Sequence, residues 1–157
     1  MARVLFVCLG NICRSPTAHG VFEAQVRAAG MADRVTVDSA GTGAWHVGRP
    51  PDGRTRRVAL QRGYDLSHLR ARQVCAADFY AFDYLLAMDE DNLAALRAMR
   101  PDDSQVELRL FLDYAQDLRE REVPDPYYGG AGGFERVFDL VERAAAGLLA
   151  HLRQAGA

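Results

Sequence analysis

The chain has 157 residues, enough for one domain with a real hydrophobic core, and no internal repeat or domain boundary interrupts residues 1–157. About half of it is hydrophobic and a quarter charged, with a formal net charge of −2, so neither nucleic acid nor an anionic membrane surface has electrostatic support as a partner. All nineteen basic residues are Arg and none is Lys. No apolar run is long enough for a signal-peptide core or a membrane span, and three cysteines are too few for a disulfide scaffold, which points to a cytoplasmic protein.

In chain order, Val4–Val7 is a continuous apolar run, the pattern of a strand covered on both faces. A glycine-containing loop follows, and then a helix to about Ala29, for which Ser15 is the expected N-cap and Pro16 the first helical residue. Further strands are expected at Val35–Val37, Asp83–Met88 and Val106–Phe111. Helices are expected at Asp52–Arg62, Asp89–Met99 and Phe134–Arg153. Alternation of buried strands with helices predicts an α/β fold, a parallel sheet with helices on both faces. Two long irregular segments remain, residues 41–51 and 119–133, and loops of that length in a compact domain are usually functional.

The first strand runs directly into Cys8-Leu9-Gly10-Asn11-Ile12-Cys13-Arg14-Ser15. Ligands of open α/β sheets bind beyond the carboxyl ends of strands, so Cys8 leads the candidate site. A loop turning into a helix points backbone N–H groups inward, and the helix dipole adds positive character. Gly10 and Asn11 are the residues expected to tolerate unusual backbone angles there. Five residues separate Cys8 from Arg14, a spacing that wraps one tetrahedral anion between a sulfur and a guanidinium fork. The same positive field favours the reactive thiolate, and Ser15 is placed to hydrogen-bond the sulfur as a leaving group. Cys-x5-Arg on its own is a common match. Its position between an apolar strand and a helix start distinguishes this one from a turn carrying a small buried cysteine.

This segment resembles the signature of the low-molecular-weight protein tyrosine phosphatases, Cys-x5-Arg-Ser near the N-terminus. Chain length and the later Asp-Pro-Tyr-Tyr extend the resemblance over nearly the whole chain. It implies a four-stranded parallel sheet flanked by helices, an anion loop after the first strand, no cofactor and no metal. It also implies hydrolysis of phosphotyrosine through a cysteinyl-phosphate intermediate on phosphotyrosine proteins, among them a bacterial tyrosine kinase.

Within that resemblance Cys8 is the nucleophile, and Arg14 binds the phosphate with the loop Leu9, Gly10, Asn11, Ile12, Cys13 and Ser15. Asp125, held between Pro124 and Pro126, corresponds to the general acid and then base. Tyr127 and Tyr128 line the pocket mouth, opposed by Trp45, although each of these aromatics also fits ordinary packing. Ser39, His68 and Asp89 are candidates for the shell that holds the loop. One extra residue stands between His68 and Ala71-Arg72-Gln73 compared with the family, and Asp89 reads equally as a helix cap. Cys13 is either a redox partner for Cys8 or a buried packing residue, and Cys75 reads as structural.

Other readings are weighed on the same residues. An arsenate reductase needs two further cysteines close together, and only Cys75 lies in the relevant half. A receiver domain needs clustered acids where Cys8 stands. A protein arginine phosphatase typically carries Thr at the position of Ile12, so Ile12 and Tyr127-Tyr128 favour phosphotyrosine. A catalytically silent phosphoprotein-binding module would have lost Cys8, Arg14 or Asp125. Oligomeric state leaves no mark in the sequence.

Overall fold

The computed structural model describes residues 1–127 and 130–156. Four strands form one parallel sheet: β1 (Ala2–Cys8), β2 (Val35–Gly41), β3 (Tyr84–Ala87) and β4 (Glu107–Leu110), in spatial order β2-β1-β3-β4. The helices are α1 (Arg14–Ala28), α2 (Gly53–Gln61), the short α3 (Asp78–Ala81), α4 (Glu90–Met99) and α5 (Ala131–Gln154). A 3₁₀ turn, Phe111–Tyr114, follows β4.

The central position of β1 explains its unbroken apolar run, since Val4, Leu5, Phe6 and Val7 are all fully buried. Alternation along the strand then sorts the core into two layers. Phe6 points to the side of α1 and α5, where its ring meets Phe22 at 5.7 Å and Phe111 at 4.9 Å, both edge to face. Leu5 and Val7 point to the other side, with Phe79, Leu93 and Leu96 from α3 and α4. Fully burying one such side chain contributes about 1.5–3 kcal/mol, so both layers hold the sheet. Register places the strand ends together: Cys8 pairs with Gly41 and Val7 with Ala87, which brings the loops after β1, β2 and β3 to one edge.

The strands and long helices lie where the apolar pattern puts them, with three differences. Helix α1 starts at Arg14 with Cys13 at the cap position, so Ser15 is not an N-cap. Pro16 is tolerated at the third helical position because the N–H groups of the first turn have no intrahelical partner. The four-residue α3 has no counterpart in the expected pattern, being too short to show a period. Helix α5 begins three residues before Phe134, through the glycine-rich stretch.

Candidate active site

The loop after β1 closes around the sulfur of Cys8, which is a buried free thiol. The Asn11 backbone N–H lies 3.3 Å from Sγ, and the Ser15 hydroxyl 3.0 Å from it. The Asn11 carboxamide donates from Nδ2 to Ser15 Oγ at 2.7 Å. Asn11 is the only non-glycine among the described residues with a positive φ, 56°. Gly10 is not in that region, contrary to expectation, and its requirement is steric. A Cβ there would come within 3.0 Å of the His46 ring. Gly41, at the end of β2, is needed for the same reason from below, since a Cβ would lie 2.8 Å from the Leu9 carbonyl oxygen.

Arg14, buried at the start of α1, ties three segments together. Its Nη1 donates to Asp89 Oδ2 at 2.5 Å and to the Val123 carbonyl at 3.0 Å, while Nη2 stands 3.7 Å from Asp125 Oδ2. Burial works against its cation, but the Cys8 sulfur, Asp89 and Asp125 outweigh that and hold the pKa above its ordinary value. Asp89 does two jobs, because its other oxygen accepts the Asn92 N–H at 2.7 Å and caps α4. It thus caps a helix and orients Arg14.

Cys8, Arg14 and Asp125 meet in a cavity of about 400 Å³ whose walls include Leu9, Ile12, Trp45 and Tyr127. Asp125 is held by an N–H from Tyr127 to Oδ1 at 3.0 Å, and its side chain keeps 42% of its exposure. Trp45 is 70% exposed, so it is a wall of the opening and not a core residue. Its ring folds back over Gly43, whose place no larger residue could take without moving it. Tyr128 lies outside the described residues.

Two residues at the site escaped the sequence reading, one on the cavity wall and one behind it. His46 lines the cavity with its ring 6.5 Å from that of Tyr127, bridging the cysteine loop and the acid loop. Arg54 stacks over the Tyr127 ring at 5.2 Å and donates to the Tyr127 carbonyl at 3.1 Å. The only available signal was their placement, beside Trp45 and at the start of α2 respectively.

The supporting shell differs from the expected one. His68 is exposed, next to Asp65, and makes no hydrogen bond to the loop. Ser39 is engaged instead by the buried His19, Nδ1 to Oγ at 3.0 Å. The partner of Asn11 Oδ1 is instead the backbone N–H of Arg72, at 3.0 Å. Cys13 is a buried free thiol, and burial pushes its pKa up to about 12. Cys75 is exposed, where packing does not explain it.

A sulfur that can take a phosphoryl group, a fixed guanidinium facing it and a carboxyl group at the opening are the parts that transfer to cysteine and subsequent hydrolysis require. Fold and site together therefore define the class of cysteine-dependent phosphatases. The model of the family described as low molecular weight phosphotyrosine protein phosphatase matches residues 3–157. A putative low molecular weight protein-tyrosine-phosphatase of Synechocystis sp. is 46% identical over 151 residues, 96% of each chain. A crystal structure of a protein tyrosine phosphatase from Entamoeba histolytica, with Hepes in its active site, superposes with a TM-score of 0.95 at 39% identity over all of both chains. Drosophila arginine phosphatase superposes with a TM-score of 0.89 at 33% identity, covering 95% of this chain and 96% of that one. The chain belongs to the low molecular weight phosphotyrosine protein phosphatase family.

Proposed function

We infer that the protein hydrolyses phosphotyrosine through a cysteinyl-phosphate intermediate. The observation that carries this reading is the convergence of Cys8, Arg14 and Asp125 on one cavity walled by Trp45 and Tyr127. The phosphate sits in the loop amides with Arg14 Nη2 free to reach it, because Nη1 is already held by Asp89 and Val123. The Cys8 thiolate attacks phosphorus, the bond from phosphorus to the tyrosine oxygen breaks, and Asp125 gives its proton to that oxygen. Asp125 then takes a proton from water as the water attacks phosphorus, and the S–P bond breaks to return the thiolate. Ser15 and the Asn11 N–H stabilise the departing sulfur.

The reading places the protein in the cytoplasm, supported by three free cysteines, and gives it phosphotyrosine proteins such as a bacterial tyrosine kinase as substrates. Oxidation of Cys8 by a peroxide and closure onto Cys13 belong to the same reading, slowed by the burial that keeps Cys13 a thiol. The likeness to Drosophila arginine phosphatase keeps phosphoarginine as the second substrate class. Ile12, half-buried in the cavity wall, favours the flat aromatic ring.

The test is metal-free hydrolysis of an aryl phosphate, phosphotyrosine peptides and phosphoarginine by wild type, Cys8→Ser and Asp125→Ala. Turnover of phosphotyrosine, abolished in Cys8→Ser and slowed at least about a hundredfold in Asp125→Ala, is the expected result. Preference for phosphoarginine would overturn the specificity but keep the chemistry. Phosphate binding without any turnover under reducing conditions would leave a silent phosphoprotein-binding module.

A further inference from the structure

Arg72 lies outside the cavity, yet its interactions lead to the nucleophile. Its guanidinium is clamped between two carboxylates. Nη1 and Nη2 donate to Asp78 at 3.0 and 3.1 Å, and Nε and Nη2 to Asp38 at 3.2 and 3.0 Å. Asp38 comes from β2 and Asp78 from α3, so the clamp joins both flanks of the segment that carries Arg72. The same segment is laid along the end of β2: Gly41 N–H donates to the Arg72 carbonyl and Val74 N–H to the Gly41 carbonyl, each at 2.8 Å. The Arg72 N–H is thereby left pointing at Asn11 Oδ1, 3.0 Å away.

A carboxamide can be turned either way round, and its sense is set by its neighbours. A backbone N–H can only donate, so the atom of Asn11 facing Arg72 must be the oxygen. Nδ2 then faces Ser15 and donates to Oγ at 2.7 Å. With that lone pair used, the single Ser15 proton is free to point at Cys8 Sγ at 3.0 Å, the alternative acceptor being the Ala40 carbonyl at a long 3.4 Å. Each bond donates in the same direction, from Arg72 through Asn11 and Ser15 to the sulfur. A chain of hydrogen bonds of one polarity strengthens its last member when that member ends on an anion. The charged groups facing the sulfur otherwise are Arg14 from α1, with Asp89 and Asp125 beyond it on the loops packed against that arginine.

We propose that Arg72, fixed by Asp38 and Asp78, is a positioning residue that sets the direction of a hydrogen-bond relay from its own N–H through Asn11 and Ser15 to Cys8. The proposal rests on Cys8 being the reacting sulfur. The relay acts on the thiolate in both halves of the reaction, as attacking and as leaving group, but it does not touch the phosphate. The Arg14 fork and the loop amides do that.

The experiment compares wild type, Arg72→Met and the double variant Asp38→Asn with Asp78→Asn, as full chains. It reads kcat on an aryl phosphate, inhibition by inorganic phosphate, and the ultraviolet thiolate absorbance that Cys8→Ser removes. Arg72→Met is expected to lower kcat about tenfold, the worth of one hydrogen bond to a charged group, and to reduce the thiolate signal at neutral pH. The inhibition constant for phosphate changes by less than about threefold. The double variant shifts kcat and absorbance in the same direction by less, because the neutral carboxamide oxygens at positions 38 and 78 can still accept from the Arg72 guanidinium, only more weakly than carboxylates. Equal losses in kcat and phosphate binding, with the thiolate signal intact, would mean Arg72 merely braces the loop, and the proposal fails. Unchanged kcat also overturns it. Should Arg72→Met not fold, the double variant decides by the same criteria. Absence of turnover in wild type with the absorbance difference still present would sink the phosphatase reading and leave the relay standing.

Discussion

Gly41→Ala tests how tightly the end of β2 sets the cysteine loop. The glycine has an ordinary φ, so alanine brings no backbone strain of its own. Its Cβ would stand 2.8 Å from the Leu9 carbonyl oxygen, 3.1 Å from Gly10 C and 3.2 Å from Asn11 N. All three are backbone atoms of the loop around Cys8. The Leu9 carbonyl cannot swing aside freely, because it accepts the Gly43 N–H at 2.9 Å, while the Gly41 N–H is tied to Arg72. Comfortable contact needs about 3.5 Å, so the loop must move by roughly half an ångström. A misplacement of about 1 Å costs on the order of a hundredfold in rate, which makes about tenfold the expected loss in kcat/KM. Overpacking of this kind costs about 1–3 kcal/mol, partly offset by the lower unfolded-state entropy of alanine, so the Tm should fall by only a few degrees. Steady-state kinetics and thermal unfolding of the variant read both quantities. A kcat/KM within twofold of wild type would refute the claim that β2 props the loop at van der Waals contact.

Two further outcomes follow from the titration of buried groups. Cys13, held at about 12 by burial, is a thiol at neutral pH, so iodoacetamide and mass mapping of the native protein should label Cys8 and Cys75 and spare Cys13. Labelling of Cys13 as fast as Cys75 would contradict this. Burial works to raise the Asp52 pKa, but the Arg54 side chain and N–H outweigh it, and the carboxyl sits below its ordinary value. Its stabilisation is therefore fully present above the unfolded value of about 3.9 and lost as pH falls through the lower folded value. Asp52→Asn keeps the N-cap of α2, so it should melt about a degree or two below wild type near neutrality, the gap closing in acid. A gap that persists unchanged at low pH would show the carboxylate charge to be irrelevant.

Much of this architecture was legible because it rests on local pattern. The four buried residues Val4–Val7 announced a central strand, and Asp89 announced a helix start as a cap. Cys8 and Arg14 were legible as candidates because an anion loop restricts both residue type and spacing, whereas Asp125 rested on the family resemblance of Asp-Pro-Tyr-Tyr; the three line one cavity. What escaped depends on distances between segments remote in sequence. His46 and Tyr127 are neighbours only after two loops fold onto one cavity. That Asn11 is held by the Arg72 N–H and not by His68 depends on how a segment 61 residues away is laid against the loop, which no periodicity encodes. Gly10 shows the same limit, since its small size answers to the His46 ring and not to its own backbone. Ser15 misled for a related reason, because a serine before a proline fits an N-cap while tertiary contact with Cys8 claims its hydroxyl.

The arrangement around Arg14 explains how one guanidinium can serve both fold and chemistry. A buried arginine without a counter-charge would be costly, and a guanidinium fully occupied by carboxylates would have nothing left for substrate. Here the edges are divided. Nη1 is spent on Asp89 and the Val123 carbonyl, which anchor the start of α4 and the acid loop. Nη2 meets Asp125 only at 3.7 Å, beyond a hydrogen bond, and so keeps its donors for an incoming anion. The acid loop is also pinned independently, by Val123 N–H to the Met88 carbonyl at 2.8 Å and by Glu122 accepting the Glu90 N–H at 2.8 Å. Phosphate can therefore take the free edge of Arg14 without releasing the loop that carries Asp125, so on the proposed mechanism Asp125 stays in place through both steps.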